Sequence, residues 1–456
     1  MRAMPVRCLL LSGVSLLLTL PIGNADAQPQ PAQPVRLSLG DAARLAAKQN
    51  GAVEMAQARV EQAEARARQR RSALFPDLAA AVQQAERTLN SATFGFSFIN
   101  PATGKPMMRP DGEILGPVPT IDFRYRVQAP LLDLGRVAGW RAAQAATSAA
   151  SADVSAQASS AAALAAATYV RAARSEAQMA ARQADSVLAA DLLRIARDQL
   201  AAGTGIALDV TRAEAQLAAV RAQLLAARGE RARTLLELGR VTGVATDVPV
   251  VLADSLAGLP FEQALPSEAA AVSSAVQQRP DLRLLRAQER AQQQQVQAIR
   301  WERMPQIGLL VEQGVIGRDM DRLLPTYTWG IQLSMGLFDG YRRTARLQEQ
   351  VAITRETEAR RRDVQAQGTM EARAALLDLQ SAQEQVEASR ERTRLAEQEV
   401  RQAQDRFAAG VAGNADVIAA LLSLNQARTL RNDALAAYHT ARVMLAKAMG
   451  DLTRLQ

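Results

Sequence analysis

Apolar and polar residues alternate one by one in two short stretches of a chain that otherwise repeats with helical periods. Over residues 121–128, Ile121, Phe123, Tyr125 and Val127 interleave with Asp122, Arg124, Arg126 and Gln128. A period of two places the first set on one face of a strand and the second set on the other. Tyr327, Trp329, Ile331, Leu333, Met335 and Leu337 interleave in the same way with Thr328, Gly330, Gln332, Ser334 and Gly336. A weaker alternating stretch lies upstream of each. The pattern predicts strands at about 78–88, 120–130, 307–315 and 326–338. Pro76 and Pro305 stand before the two upstream strands. Proline cannot extend the helical hydrogen-bond ladder and disfavours helix in the residue before it, so each ends a helix there.

These strands have the length of tilted membrane strands. One face suits lipid, with Ile121, Phe123, Tyr125, Val127, Tyr327, Trp329, Ile331 and Leu333; the other, with Asp122, Arg124, Arg126 and Gln128, suits a watery lumen. Two soluble hairpins with one buried face are the other reading of a single alternating stretch. Four stretches in two pairs favour the membrane, as does the clustering of twelve of the sixteen aromatics within 75–140 and 301–341, the pattern of interface girdles. Four strands cannot close a barrel, and an open edge in lipid costs several kcal/mol per unsatisfied backbone group. Several copies must therefore share one barrel. The arginines at 124 and 126 point to some tolerance for anions in the lumen.

The rest reads as long helix. Between Gly135 and Leu200 there is no proline and only Gly139 as a breaker, enough for about 100 Å of helix at 1.5 Å per residue; residues 341–409 repeat the design. Val210, Leu217, Val220, Leu224, Leu235 and Leu238 keep the spacings of a coiled-coil seam, and a dimerising coiled coil fits the helical pattern taken alone. The chain is also duplicated. Leu200-Ala-Ala-Gly203 followed by Asp209-Val210 recurs without gaps as Phe407-Ala-Ala-Gly410 followed by Asp416-Val417, and Gly243 matches Gly450. Gly203, Thr204 and Gly205, like Gly410, Val411, Ala412 and Gly413, fall where one long helix gives way to another and read as hairpin tips, near 201–209 and 408–416. The resulting division is a first repeat at 36–244, a linker at 245–266 and a second repeat at 267–456. The halves differ chiefly in an excess of about two dozen residues within 90–119 of the first, read as an enlarged extracellular loop.

Composition removes other classes. Aromatics make up 4% of the residues and the net charge is +8, but the arginines interleave with acids along helices, which fits solvated helix faces rather than a nucleic-acid site. Arg2 and Arg7, an apolar run over 9–20 and Ala25-Asp26-Ala27 read as a signal peptide at 1–27, followed by a flexible Gln/Pro leader at 28–35. Cys8 is the single cysteine and falls inside that signal. No later stretch is apolar enough for a helical membrane span. Nothing resembles a catalytic, cofactor or metal site: His439 is the single histidine and reads as a helix-packing residue.

Weak motifs in a fixed order then carry a resemblance. Leu74-Phe75-Pro76 and Arg303-Met304-Pro305 precede the strand pairs, Arg279-Pro280-Asp281-Leu282 opens the second repeat, and Pro130-Leu131-Leu132-Asp133 and Gly336-Leu337-Phe338-Asp339-Gly340 follow the strands. With the two Ala-Ala-Gly tips and the closing Ala448-Met449-Gly450, the chain resembles TolC-like outer-membrane efflux proteins along essentially its whole mature length. The resemblance implies a mainly α fold with membrane β: long helical hairpins forming a trimeric periplasmic α-barrel, and four strands per chain contributing to a shared twelve-stranded transmembrane β-barrel. It implies an exit duct in the outer membrane of a Gram-negative bacterium, without catalysis or cofactor, with most of the chain in the periplasm. Its implied partners are two further copies, outer-membrane lipid, and a periplasmic adaptor that docks on the tips and links the duct to an inner-membrane pump or a type I secretion transporter. Asp416, and Asp209 as its counterpart, match acids that ring the periplasmic gate in that family. Carboxylates serving helix N-termini are the other reading of both. Ala419 and Ala412 stand where some relatives carry a second acid and an arginine, so one charged ring and one locking contact are missing. A periplasmic adaptor or a structural coiled coil is the alternative reading of the whole chain.

Overall fold

The computed structural model describes residues 34–94, 99–109, 111–245, 247–261 and 264–452. The signal peptide, most of the leader, and Phe96 and Phe98 of the long loop lie outside the described residues. The first half runs β1 (Val35–Leu37), α1 (Leu39–Gln49), α2 (Gly51–Ser72), β2 (Asp77–Asn90), β3 (Ile114–Leu132), α3 (Leu134–Ala201) and α4 (Ala207–Thr242). The second half repeats it as β4 (Val250–Leu252), α5 (Glu268–Gln278), α6 (Pro280–Trp301), β5 (Gln306–Gly317), β6 (Leu324–Ser334), α7 (Arg342–Ala408) and α8 (Asn414–Met449). α3 and α7 are 68 and 67 residues long, about 100 Å each. None of the described helices is long and apolar enough to cross a membrane.

Local chemistry sets the element ends. Ser38 and Asp41 form a capping box at α1, and Asp133 caps α3 by accepting from the Arg136 N–H at 2.9 Å. Gly243 and Gly450, equivalent in the duplication, end α4 and α8 in the left-handed conformation. A Cβ at Gly243 would lie 2.7 Å from the Gln49 carbonyl, and one at Gly450 would lie 2.8 Å from the Arg279 nitrogen. Only glycine fits both the turn and the close approach.

β2, β3, β5 and β6 form one antiparallel sheet in that order. β6 is shorter than the sequence pattern indicates: it ends at Ser334, paired with Gln306, because β5 starts only after Pro305 and leaves Met335 and Leu337 without a partner strand. β3 is longer, running from Ile114 to Leu132. The sequence reading also lacks two strands. Val35 and Val250 begin a short parallel pair, so the end of the leader and the linker are tied together. Three residues are too few for periodicity to reveal.

The helices follow the order of the sheet, since α2 packs on α3, α3 on α6 and α6 on α7. Each of the four strands of this sheet joins a helix at one end. Asp133 alone separates β3 from α3 and four residues separate α2 from β2, whereas 335–341 intervene between β6 and α7. Arg343 secures that longer joint, bonding Asp339 at 2.6 Å and the carbonyls of Gly336 and Glu302 at 2.7 and 3.1 Å.

Two main cores, with smaller clusters beside them, hold the helices. One, at mid-length, buries Tyr169, Leu238, Val386 and Tyr438, with Phe261 stacked on Tyr438 at 4.3 Å. The other lies toward the tips and includes Leu192, Leu217, Val400, Phe407, Val417 and Leu424. Leu217, Val220, Leu224 and Leu238 of the expected seam are buried against this chain's own helices. Alanine between them lets the backbones approach closely. Arg279, also buried, bonds Asp281 at 2.7 Å and Glu371 at 2.6 Å, with Gly368 leaving it room. Burial disfavours the Asp281 carboxylate, but the bonds and charge of Arg279 outweigh it and hold its carboxyl below the usual range.

His439 is buried edge-on to Tyr438 at 5.1 Å. Burial, and secondarily the charge of Arg442, push its imidazole down to about 4. The unfolded chain therefore takes up the proton first. Stability is complete above the unfolded value of about 6.5 and falls as pH drops toward 4, by up to roughly 3 kcal/mol from this group. Guanidinium denaturation between pH 7 and 4.5 should show a shallower loss for His439→Leu. An identical slope in both proteins would exclude this residue as the source.

Candidate functional site

Two regions gather the residues singled out by sequence, the hairpin tips and the sheet. The tips are built alike. Gly203 and Gly410 are both left-handed at φ 70°, and the N–H of Thr204 donates to the Gln199 carbonyl as that of Val411 does to Arg406, at 2.9 and 3.0 Å. This is the six-to-one bond of a Schellman ending. Gly203, Thr204, Gly410, Val411 and Gly413 are exposed, with Gly205 and Ala412 half-buried between them.

Asp209 and Asp416 sit in the first turns of α4 and α8, where free backbone N–H groups favour an acid. The cap positions themselves are Ile206 and Gly413, and neither helix has a side-chain cap bond. Asp209 is half-buried with Arg212 at 3.9 Å. Asp416 is exposed and makes no ion pair among the described residues.

The tips are clasped to each other. Gln199 Nε2 donates to the Phe407 carbonyl at 3.0 Å, and Asn414 Nδ2 donates to the Asp209 carbonyl at 2.7 Å. Asn414 is fully buried, and its Oδ1 has no hydrogen-bond partner among the described residues. The clasp joins non-equivalent residues, because the duplication matches Gln199 with Arg406 and Asn414 with Ala207. Phe407 is buried while its counterpart Leu200 is exposed. Sequence reading passed over Gln199 and Asn414; the mismatch between otherwise matching repeats was the available signal.

In the sheet, register carries each face across all four strands. Leu78, Val127, Val311 and Trp329 form one row, and Ala80, Tyr125, Gln313 and Tyr327 the next. Phe123 continues this face opposite Val82 and Val315, Ile121 lies beside Gln84, and Ile331 and Leu333 extend it on β6. The opposite face carries Asp122, Arg124, Arg126 and Gln128, with Thr326, Thr328 and Gln332 on β6. Trp329 and Tyr327 are 67% and 78% exposed, so the chain itself leaves the apolar face uncovered.

Glu312, which the sequence reading did not single out, organises the polar face. It is buried and pairs with both Arg124, at 3.1 Å, and Arg126, while Asp122 pairs with Arg124 at 2.9 Å. Two arginines meet two acids. Arg124 and Arg126, read from the sequence as favouring anions, are thus each paired with acids that sequence spacing could not place beside them. Among the described residues, no group of acids, histidines or cysteines could hold a metal ion.

The model of a family described as outer membrane efflux protein matches residues 42–244 and 271–451. The chain belongs to the outer membrane efflux protein family. Solved structures share the fold at low identity. The CmeC outer membrane channel of Campylobacter jejuni is 17% identical, with a TM-score of 0.73 over 90% of this chain and 85% of that one. The outer membrane protein VceC of Vibrio cholerae is 21% identical, with a TM-score of 0.71 over 91% and 96%. The MtrE outer membrane channel of Neisseria gonorrhoeae, solved in an open state, is 17% identical, with a TM-score of 0.72 over 91% and 89%. No curated protein matches the chain in sequence. Membership in this efflux family gives the uncovered apolar face an outer-membrane setting.

Proposed function

We propose that three copies of this chain close a twelve-stranded barrel and form an outer-membrane exit duct, with the long helices as a periplasmic α-barrel. The observation that carries this reading is the sheet: among the described residues β2 and β6 each pair on one side only, and Leu78, Val82, Tyr125, Tyr327, Trp329, Ile331 and Leu333 of the apolar face are exposed. Free edges in lipid leave backbone groups unsatisfied, and closure with further copies satisfies them. A soluble coiled coil has no use for such a sheet, and an adaptor has no use for a duplicated hairpin.

The α3–α4 and α7–α8 tips lie roughly 100 Å of helix away from the strands. We assign them to docking of a periplasmic adaptor, which links the duct to an inner-membrane pump or transporter of a tripartite efflux or type I secretion system. Exposed Ile206 and Leu208 beside Gly203, and Val411 beside Gly410, supply apolar contact there. Asp209 and Asp416 serve as the acids of the periplasmic constriction, with the Asn414 clasp holding one against the other.

Purified protein in planar bilayers tests both levels. The unsubstituted protein should form cation-preferring single channels blocked by divalent cations, and Asp416→Ala should weaken that preference and block. Channels unaltered by the substitution would remove Asp416 from the constriction. Absence of any channel would remove the duct itself.

A further inference from the structure

α3 begins with a stripe of small residues, Gly135, Gly139, Ala142 and Ala146, and α2 and α6 flank it. With no side chain rising from that floor, a groove of about 760 Å³ remains between the two flanking helices, the size of a site for a small organic molecule. A second cavity of about 590 Å³ at the foot of the sheet shares Asp133, Arg136 and Gln306 with it. That second cavity is lined by Gln128, Gln332 and Ser334, which belong to the polar face of the sheet. The groove therefore opens on the side assigned to the lumen.

Its charges do not cancel. Arg136 is bound to Asp133 at 2.9 Å and Arg346 to Glu302 at 2.8 Å, which uses both acids of the lining. Arg66 and Arg70, one turn apart on α2, face the groove and make no ion pair among the described residues. Glu64, the nearest acid on α2, lies with Arg68 against a different cavity on the other side of the helix. Uncharged Gln292 and Gln295 form the opposite wall. The groove lining thus carries two positive charges without an ion pair among the described residues, while Arg124 and Arg126 farther along the same face are paired with acids.

We propose that this groove is a binding station for organic anions, with the Arg66 and Arg70 guanidiniums taking a carboxylate, sulfonate or phosphate and the Gly/Ala floor accepting the flat apolar body. The placement in the lumen rests on the duct reading above; the binding itself does not. A pyrene trisulfonate dye is the probe. Fluorescence titration of the full-length protein in neutral detergent should show saturable binding, weakened at least about tenfold by Arg66→Gln with Arg70→Gln. Gly139→Leu fills the floor without altering charge and should weaken binding as well, since a Cβ there meets no neighbour within 4 Å. Arg68→Gln, on the far side of α2, should leave it intact. Equal binding by all variants, or an equal loss with Arg68→Gln, overturns the site. In bilayers the dye should block current through the unsubstituted protein and lose that block in the double variant. Dye binding without channels would remove the duct and keep the groove; channels without dye binding would do the reverse.

Discussion

Arginine in place of Trp329 is expected to stop the protein from reaching its assembled membrane form, while arginine in place of the adjacent Thr328 is expected to be tolerated. Trp329 lies midway along β6, in the row with Leu78, Val127 and Val311. A lipid-facing arginine at that depth costs about 2–4 kcal/mol per chain, and three chains would each bear it. Thr328 pairs with Glu312 on the polar face, where a cation meets water and a carboxylate. Outer-membrane fractionation with heat-modifiable migration on gels reads both variants. Normal assembly of the Trp329 variant, or equal failure of the two, would show that the faces are wrongly assigned.

Loss of Asp185 is expected to destabilise the helical part of the molecule far more than loss of an exposed acid on the same helix. Its buried carboxylate accepts from Asn425 at 2.7 Å, Arg428 at 2.9 Å and Arg182 at 3.3 Å, joining α3 to α8. Asp185→Ala strands two largely buried guanidiniums, a change worth about 3–5 kcal/mol when a buried pair is broken from one side. Both arginines keep some exposure, which places the cost toward the lower figure. Asp191→Ala breaks only an exposed contact of 3.8 Å with Arg194 and should cost under about 1 kcal/mol. Guanidinium unfolding followed by helical circular dichroism compares them, and a difference below about 1 kcal/mol would deny the network its structural role.

What was readable in the sequence follows from the range of the forces involved. Strict alternation at 121–128 marked the faces of β3 because a strand's periodicity is local. The duplication placed both tips, since glycine at 203 and 410 answers a backbone requirement that any chain must meet with the same few residues. Glu312 was invisible for the opposite reason: its partners lie 188 and 186 positions away, and only sheet register brings them together. The same holds for Asp185, whose partners Asn425 and Arg428 lie 240 and 243 positions away on α8. β1 and β4 escaped because three residues hold no period.

The joints between strands and helices distribute stiffness unevenly. Where one residue or four link the two, a helix cannot swivel without dragging its strand along. Any twist of α7 relative to the sheet has to be absorbed in 335–341, beside the free edge of β6, where a neighbouring copy would begin. Arg343 ties that segment, through Asp339 and Gly336, to the Glu302 carbonyl just past α6, and Arg346 on Glu302 and Arg303 on Thr344 hold the start of α7 to the same place. The play between helix and strand is therefore greatest at this one joint, and three guanidiniums restrain it.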